Sequence, residues 1–247
     1  KLFSTDAALA GEAAQAVREN YFSFIELYAV PGSFQETAQV WKSFSFPCIV
    51  HGPHFGAGVN LADAARKDEN RRKMEDALRF ADALNAPYVI VHGGFGGPLE
   101  ELVEQTAAMR DDRFILENTP KLALNGETCT AHTPEHLQTA LGSGVFAGCV
   151  LDVGHALYAA NSLNEPWEAF LRRFLALRPV LFHLSDGDGR SEKDVHASFG
   201  KGDFDLRGIL ALLPKGAKIT LETPRSHGTG LRDAIQDSVA IRRYLPS

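Results

Sequence analysis

Nine histidine and acidic side chains stand out by their placement as candidates to bind divalent cations: His51, His92, Glu117, Asp152, His155, His183, Asp194, His196 and Glu222. Six of them close short apolar runs, as in "VLDVGHAL" (150–157), where the run ends on Asp152 and His155 follows three residues later. Imidazoles and carboxylates are the donors chosen by zinc, manganese and iron. One such residue at the end of a strand is ordinarily satisfied by a hydrogen bond. A ring of them is different, because several carboxylates in a water-poor place repel one another until cations compensate them. The chemistry of such a ring is metal-assisted: water made acidic and charge neutralised around phosphorus, or a sugar's carbonyl and hydroxyl oxygens polarised.

The elements that must position these residues are readable from periodicity. Strand candidates are "LFST" (2–5), "FSFIELY" (22–28), "PCIVH" (47–51), "YVIVH" (88–92), "RFILE" (113–117), "GCVLD" (148–152), "VLFHL" (180–184) and "KITLE" (218–222). Helical spacing appears between them. In "ARKDENRRKMEDALRFADAL" (65–84), Met74, Leu78, Phe80, Ala81 and Leu84 share a face. "HTPEHL" opens a helix with Thr133 as N-cap and Pro134 at its first position. "NEPWEAFLRRFLAL" offers Asn164 as a cap, with Trp167, Phe170, Leu171 and Phe174 on one side. Eight strands alternating with helices over 247 residues predict a single (β/α)8 barrel domain spanning 1–247, with an open doubly wound sheet as the alternative. A barrel delivers all its strand ends to one rim, so residues remote in sequence converge there.

Composition bounds the rest. The chain is 45% hydrophobic and 23% charged, with net charge −6. That balance gives no broad electrostatic attraction to nucleic acid, but leaves room for a local site neutralised by metal. No apolar run reaches the roughly 18 to 20 residues of a membrane helix. Cys48, Cys129 and Cys149 are too few and too scattered for a disulfide framework, which points to the reducing cytoplasm.

Taken in order, "IVHGPHFGAGVNLA", "VIVHGG", "FILENTP", "VLDVGHAL", "FHLSDGDG", "DVHASFGKGDFD" and "ITLETP" resemble the signatures of the xylose isomerase-like TIM-barrel superfamily, and within it the endonuclease IV branch. The resemblance implies a zinc-dependent phosphodiesterase with up to three Zn2+, acting on a phosphodiester such as abasic DNA. It implies that His51, His92 and Glu117 hold one ion. Glu117, Asp152, His183 and Glu222 would hold a second, and His155, Asp194 and His196 a third. Glu222 would position or deprotonate the attacking water, and Glu117 would bridge two ions. The chain departs from that branch at Val195, where an Arg is usual, and at His54, where a Tyr is common.

The alternative within the superfamily is a sugar isomerase or epimerase using one Mn2+ or Mg2+ on Glu117, Asp152, His183 and Glu222, with the two glutamates exchanging protons with carbon. The acidic balance, His54 and Val195 favour it. A non-catalytic metal-binding scaffold is the third reading, and nothing in the ring is degraded in its favour. Four further residues are candidates for substrate contact. His54 is one. Lys201 in "GKGDFD" either reaches an anion or stays in solvent. Arg225 either contacts an anion or makes a surface salt bridge. Glu26, inside strand two, either orients a ligating histidine, contacts substrate or is structural. The glycines of "HGGFGGP" (92–98) lack phosphate-loop spacing, and the mixed-sign "RKDENRRK" (66–73) reads as a solvated helix face.

Overall fold

Side chains alternate across a strand, and in this protein that alternation stacks a polar layer on an apolar one. The computed structural model describes residues 1–226 and 228–245. Among them, β1 (Leu2–Phe3), β2 (Ile25–Tyr28), β3 (Cys48–His51), β4 (Val89–His92), β5 (Phe114–Glu117), β6 (Gly148–Asp152), β7 (Leu181–Leu184) and β8 (Ile219–Leu221) pair in parallel in that order. Helices α1 (Ala10–Arg18), α2 (Phe34–Lys42), α3 (Lys67–Leu84), α4 (Leu99–Ala108), α5 (Pro134–Gly142), α6 (Val153–Leu163), α7 (Trp167–Leu175), α8 (Leu206–Leu212) and α9 (Arg232–Ile241) lie between or after them. This is the (β/α)8 barrel the strand count predicts, not an open sheet.

Inside the barrel, Ile49, Ile90, Ile115, Val150 and Leu181 form a buried aliphatic cluster of their own. Two residues further along the same strands stand His51, His92, Glu117, Asp152 and His183. Each strand therefore uses the same inward face first for apolar packing and then for chemistry. The outward faces, among them Val50, Val91, Leu116 and Leu151, join the larger core beneath the helices. Burying these branched side chains contributes about 1.5–3 kcal/mol each, which is what anchors the polar layer above.

The periodicity readings hold with adjustments. Most strands are shorter than their sequence patterns, most often because pairing begins one or more residues later than the apolar run. His183 is the penultimate residue of β7, and Glu222 lies one residue past β8, its N–H still bonded to the Leu184 carbonyl at 3.0 Å. Thr133 does cap α5, accepting from the His136 N–H, with Pro134 behind it. Asn164 does not cap α7. It ends α6 in the left-handed conformation at φ 55°, and Pro166 stands at the N-cap of α7 without a side-chain bond. Asparagine tolerates that conformation, so the same residue type serves a stop as well as a start.

β8 meets β2 and the start of β1 through side chains. Thr220 donates to Glu26 at 2.7 Å, Lys1 donates to Glu222 at 2.6 Å, and a cavity of about 60 Å³ lies between them. α2 ties down the end of β1: Trp41 is fully buried and donates its indole N–H to the Ser4 carbonyl at 2.7 Å. Trp41→Ala is expected to cost about 3–5 kcal/mol in urea denaturation, because it opens a cavity and orphans that carbonyl.

Candidate metal centre

The centre is built from the strand ends upward. On β3, His51 donates its Nδ1–H to the Gly52 carbonyl at 2.7 Å, which leaves the Nε2 lone pair facing inward. That Nε2 is 3.2 Å from His92 Nε2 and 3.3 Å from Glu117 Oε2, and His92 Nε2 is 2.9 Å from the same oxygen. Ligands on one tetrahedral zinc, bonded at roughly 2.0–2.1 Å, stand about 3.3 Å apart. The three atoms already have that spacing.

Glu117 faces two ways. Its other oxygen, Oε1, is 3.3 Å from His183 Nδ1 and has no hydrogen-bond partner, although the side chain is buried. His183 is aimed by Glu26, whose Oε2 accepts from Nε2 at 2.9 Å; Nδ1 is left toward Glu117 and Glu222 without a hydrogen bond of its own. Glu117, Asp152 and His183 offer donor atoms that all lie within 4.8 Å of one another. Glu222 Oε1 is 2.9 Å from His183 Nδ1, but its donor group closes instead with Glu26, His51 and His183. Glu26 thus makes the hydrogen bond that its histidine-orienting reading requires.

β6 runs into α6 without a loop. Asp152 Oδ1 accepts the His155 N–H at 2.7 Å, so one carboxylate ends the strand, caps the helix and sets His155 on the first turn. That is why "VLDVGHAL" is spaced as it is. His155 donates Nδ1–H to the Asn118 carbonyl at 2.8 Å, and its Nε2 lies 3.5 Å from Asp194 Oδ2. His196 donates Nδ1–H to the Glu222 carbonyl at 2.7 Å and places Nε2 3.1 Å from the same Asp194 oxygen. His155, Asp194 and His196 thus form a third group of ligating geometry.

The long loop carrying Asp194 and His196 is held by Asp186. This buried carboxylate accepts from the N–H groups of Gly187, Gly200, Gly202 and Phe204. Tyr158 bonds the Val195 carbonyl between the two candidate ligands.

Charges in the centre act strongly on one another. Burial pushes the Glu117 carboxyl up, but His92 and His183 beside it win and hold it well below the usual range. Burial likewise opposes Glu26, yet His183 and Lys1 bring it to about 2. Asp152 is pushed up, chiefly by burial. His155 and His196 lose to burial less than they gain from Asp194 and Asp152, so both rise, His196 to about 9. His54 is pushed well below its ordinary value by burial, then by His92 and His51. The orphaned buried atoms, the bare lone pairs and the ligand spacing fit bound divalent cations.

All nine residues singled out by type and spacing are brought together. His54 also arrives, its ring stacked on His92 with centroids 4.8 Å apart. Lys201 is exposed and lines none of the cavities around the centre, and Arg225 lies beside the centre but pairs with Asp6 at 2.8 Å. A chamber of about 160 Å³ opens over the third group, walled on the far side by Phe95, Pro120, Leu122 and Leu124. The segment after β5 folds over as an antiparallel turn, bridging Leu122 to Thr128 and Cys129 to Phe95.

Sequence reasoning missed three residues. Lys1 precedes β1, yet its ammonium is 2.6 Å from Glu222 and 3.5 Å from Glu26. Burial lowers it, but Glu222 and Glu26 more than offset this and keep it protonated. Asn118 clamps Asp152, donating to its carbonyl at 2.9 Å and accepting its N–H at 2.7 Å. Asp186 is the third. The "FILENTP" and "FHLSDGDG" motifs contain the last two, but a sequence does not say which polar neighbour ligates and which braces.

Fold and centre together define a family: the chain belongs to the xylose isomerase-like TIM barrels, whose pattern matches residues 13–244. Among individual proteins, it is 25% identical over 209 residues to the "Probable endonuclease 4" of Moorella thermoacetica, covering 74% of this chain and 72% of that one. Endonuclease IV from Thermus thermophilus superposes with a TM-score of 0.69 at 21% identity, over 96% of this chain and 93% of that one. A D-tagatose 3-epimerase-like protein superposes with a TM-score of 0.68 at 18% identity, over 98% and 95%.

Two outcomes are expected. A cation binding at His196 must expel the Nε2 proton that Asp194 retains up to pH about 9. Apparent affinity for a divalent cation should therefore rise as pH climbs from the ordinary histidine value through about 9, then level off, with proton release measurable in a pH-stat. Asn118→Ala should weaken cation binding about 10- to 100-fold by freeing Asp152 and His155, measured by competition with a chromogenic chelator.

Proposed function

We propose that this protein is a metal-dependent phosphodiesterase of the endonuclease IV kind, loading up to three zinc ions. The observation that carries the reading is the third group. A single-ion sugar isomerase needs only Glu117, Asp152, His183 and Glu222, and would leave His155, Asp194 and His196 closed to 3.5 and 3.1 Å around nothing. Three neighbouring groups, the first two sharing Glu117, suit a reaction in which charge develops on both sides of phosphorus.

Bound cations would lower the pKa of water and neutralise the phosphate. His51 and His92 with Glu117, then Glu117 with Asp152 and His183, and finally His155 with Asp194 and His196, would hold them. The chain's own contribution is orientation. Glu222, kept well below the usual carboxylate range by Lys1 and His183 against the opposing effect of burial, is an ionised acceptor for a proton from attacking water. Carbonyls of Gly52, Asn118 and the Glu222 backbone fix three imidazole tautomers in advance, so little reorganisation is left for the reaction itself. The apolar wall of Phe95, Pro120 and Leu122 excludes water from the far side.

Abasic DNA is the substrate the family resemblance favours. The second reading, a sugar isomerase or epimerase with one Mn2+ or Mg2+, gains from the chamber's size of about 160 Å³, which suits a small molecule. Among the described residues no helix is long and apolar enough to cross a membrane. Three buried free thiols agree with a reducing, cytoplasmic setting.

Unchelated protein is expected to carry about three zinc ions per chain and to incise a duplex containing an abasic site. His155→Ala combined with His196→Ala should remove one ion and lower incision by about 10³-fold or more. A single Mn2+ or Mg2+ with ketohexose turnover, undiminished in that double variant, would establish the isomerase instead.

A further inference from the structure

We infer that Lys1 is a substrate-binding residue, whose ammonium grips the anionic oxygen of a phosphate or phosphate ester at the threshold of the metal centre. The inference rests on the phosphodiesterase reading and deepens it. The register of β1 on β2, Leu2 against Leu27, sets Lys1 beside the inward-facing Glu26. Its side chain is therefore directed into the barrel and is only 20% exposed.

Glu222 Oε1 accepts one of its protons at 2.6 Å, and Glu26 Oε1, which has no hydrogen-bond partner, holds the charge from 3.5 Å. An ammonium has three protons, so donors remain. Lys1 lines both the chamber of about 160 Å³ over the third group and the adjoining cleft of about 850 Å³, which Phe3 and Tyr28 also line. It stands where the two join. Among the described residues around that chamber it is the one Lys or Arg side chain.

The surroundings favour such a cation. An anionic substrate entering the chamber passes Asp194 and Glu222, and the cations of the centre compensate these carboxylates only where they are bound. A lysine anchored by two glutamates is pre-ordered, so it gives up little side-chain freedom when it meets an anion. Neither of the two cations picked out in the sequence does this work. Lys201 is remote from the chamber, and Arg225 is engaged by Asp6.

The test is calorimetric titration of zinc-loaded protein with inorganic phosphate, comparing the parent with Lys1→Met and Lys201→Met. Zinc content and the thermal midpoint are measured for each. The expected result is that Lys1→Met binds phosphate about 10- to 100-fold more weakly at unchanged zinc content, while Lys201→Met matches the parent. Unchanged phosphate affinity in Lys1→Met would overturn the assignment. So would an equal loss in Lys201→Met, which would make the effect long-range charge alone, or a fall in zinc content in Lys1→Met, which would make the lysine part of the metal assembly. A zinc-loaded parent that binds no phosphate would overturn the phosphodiester reading itself, and this assignment with it.

Discussion

Five carboxylates, Glu26, Glu117, Asp152, Asp194 and Glu222, share the mouth of one barrel, and their mutual repulsion in a water-poor space is the constraint on which the rest turns. Lys1 answers part of it. Protonated histidines answer more: Asp152 and Asp194 outweigh burial and raise both His155 and His196 above the ordinary histidine value. Divalent cations at the proposed sites would answer it further, since they would replace those protons and concentrate charge where the oxygens converge.

The barrel supplies this arrangement by a simple rule of alternation. An aliphatic ring of Ile49, Ile90, Ile115, Val150 and Leu181 fixes the strands against one another, and the next inward position on each strand is polar. Packing energy at one level thus holds chemistry at the next. Bracing comes from a second set of atoms, many of them backbone. Carbonyls set the tautomers of His51, His155 and His196, while Glu26 sets His183. Asp186 gathers four amide groups and so gives a long glycine-rich loop a defined path to the centre.

The rim above the centre is less like a nucleic-acid surface than the ligand set alone implies. Phe55, Leu124 and Val195 are exposed there, at 43%, 64% and 43%. The groove beyond Phe55 and Phe95 is lined by Asp63, Glu101 and Glu127 with Arg66. Three carboxylates and one guanidinium line that groove, so a phosphate backbone would draw its electrostatic gain from the centre rather than from the rim. Metal chemistry and substrate reach are separate properties of this molecule, set by different residues.

The eight-strand alternation and the nine candidate ligands were legible in the sequence because both depend on local rules: period-two patterning, and the donor chemistry of each side chain. Strand ends slipped by a residue or two, and Asn164 turned from a helix start to a helix stop, because pairing and left-handed caps depend on neighbours that a short window omits. Lys1, Asn118 and Asp186 were not legible at all. Nothing in "KLF" announces a partner more than two hundred residues away; the closure of the sheet puts Lys1 against Glu222. Composition and spacing fixed which atoms could bind a cation. Only the closed barrel decided their distances, which of them brace rather than ligate, and which single lysine faces the space they enclose.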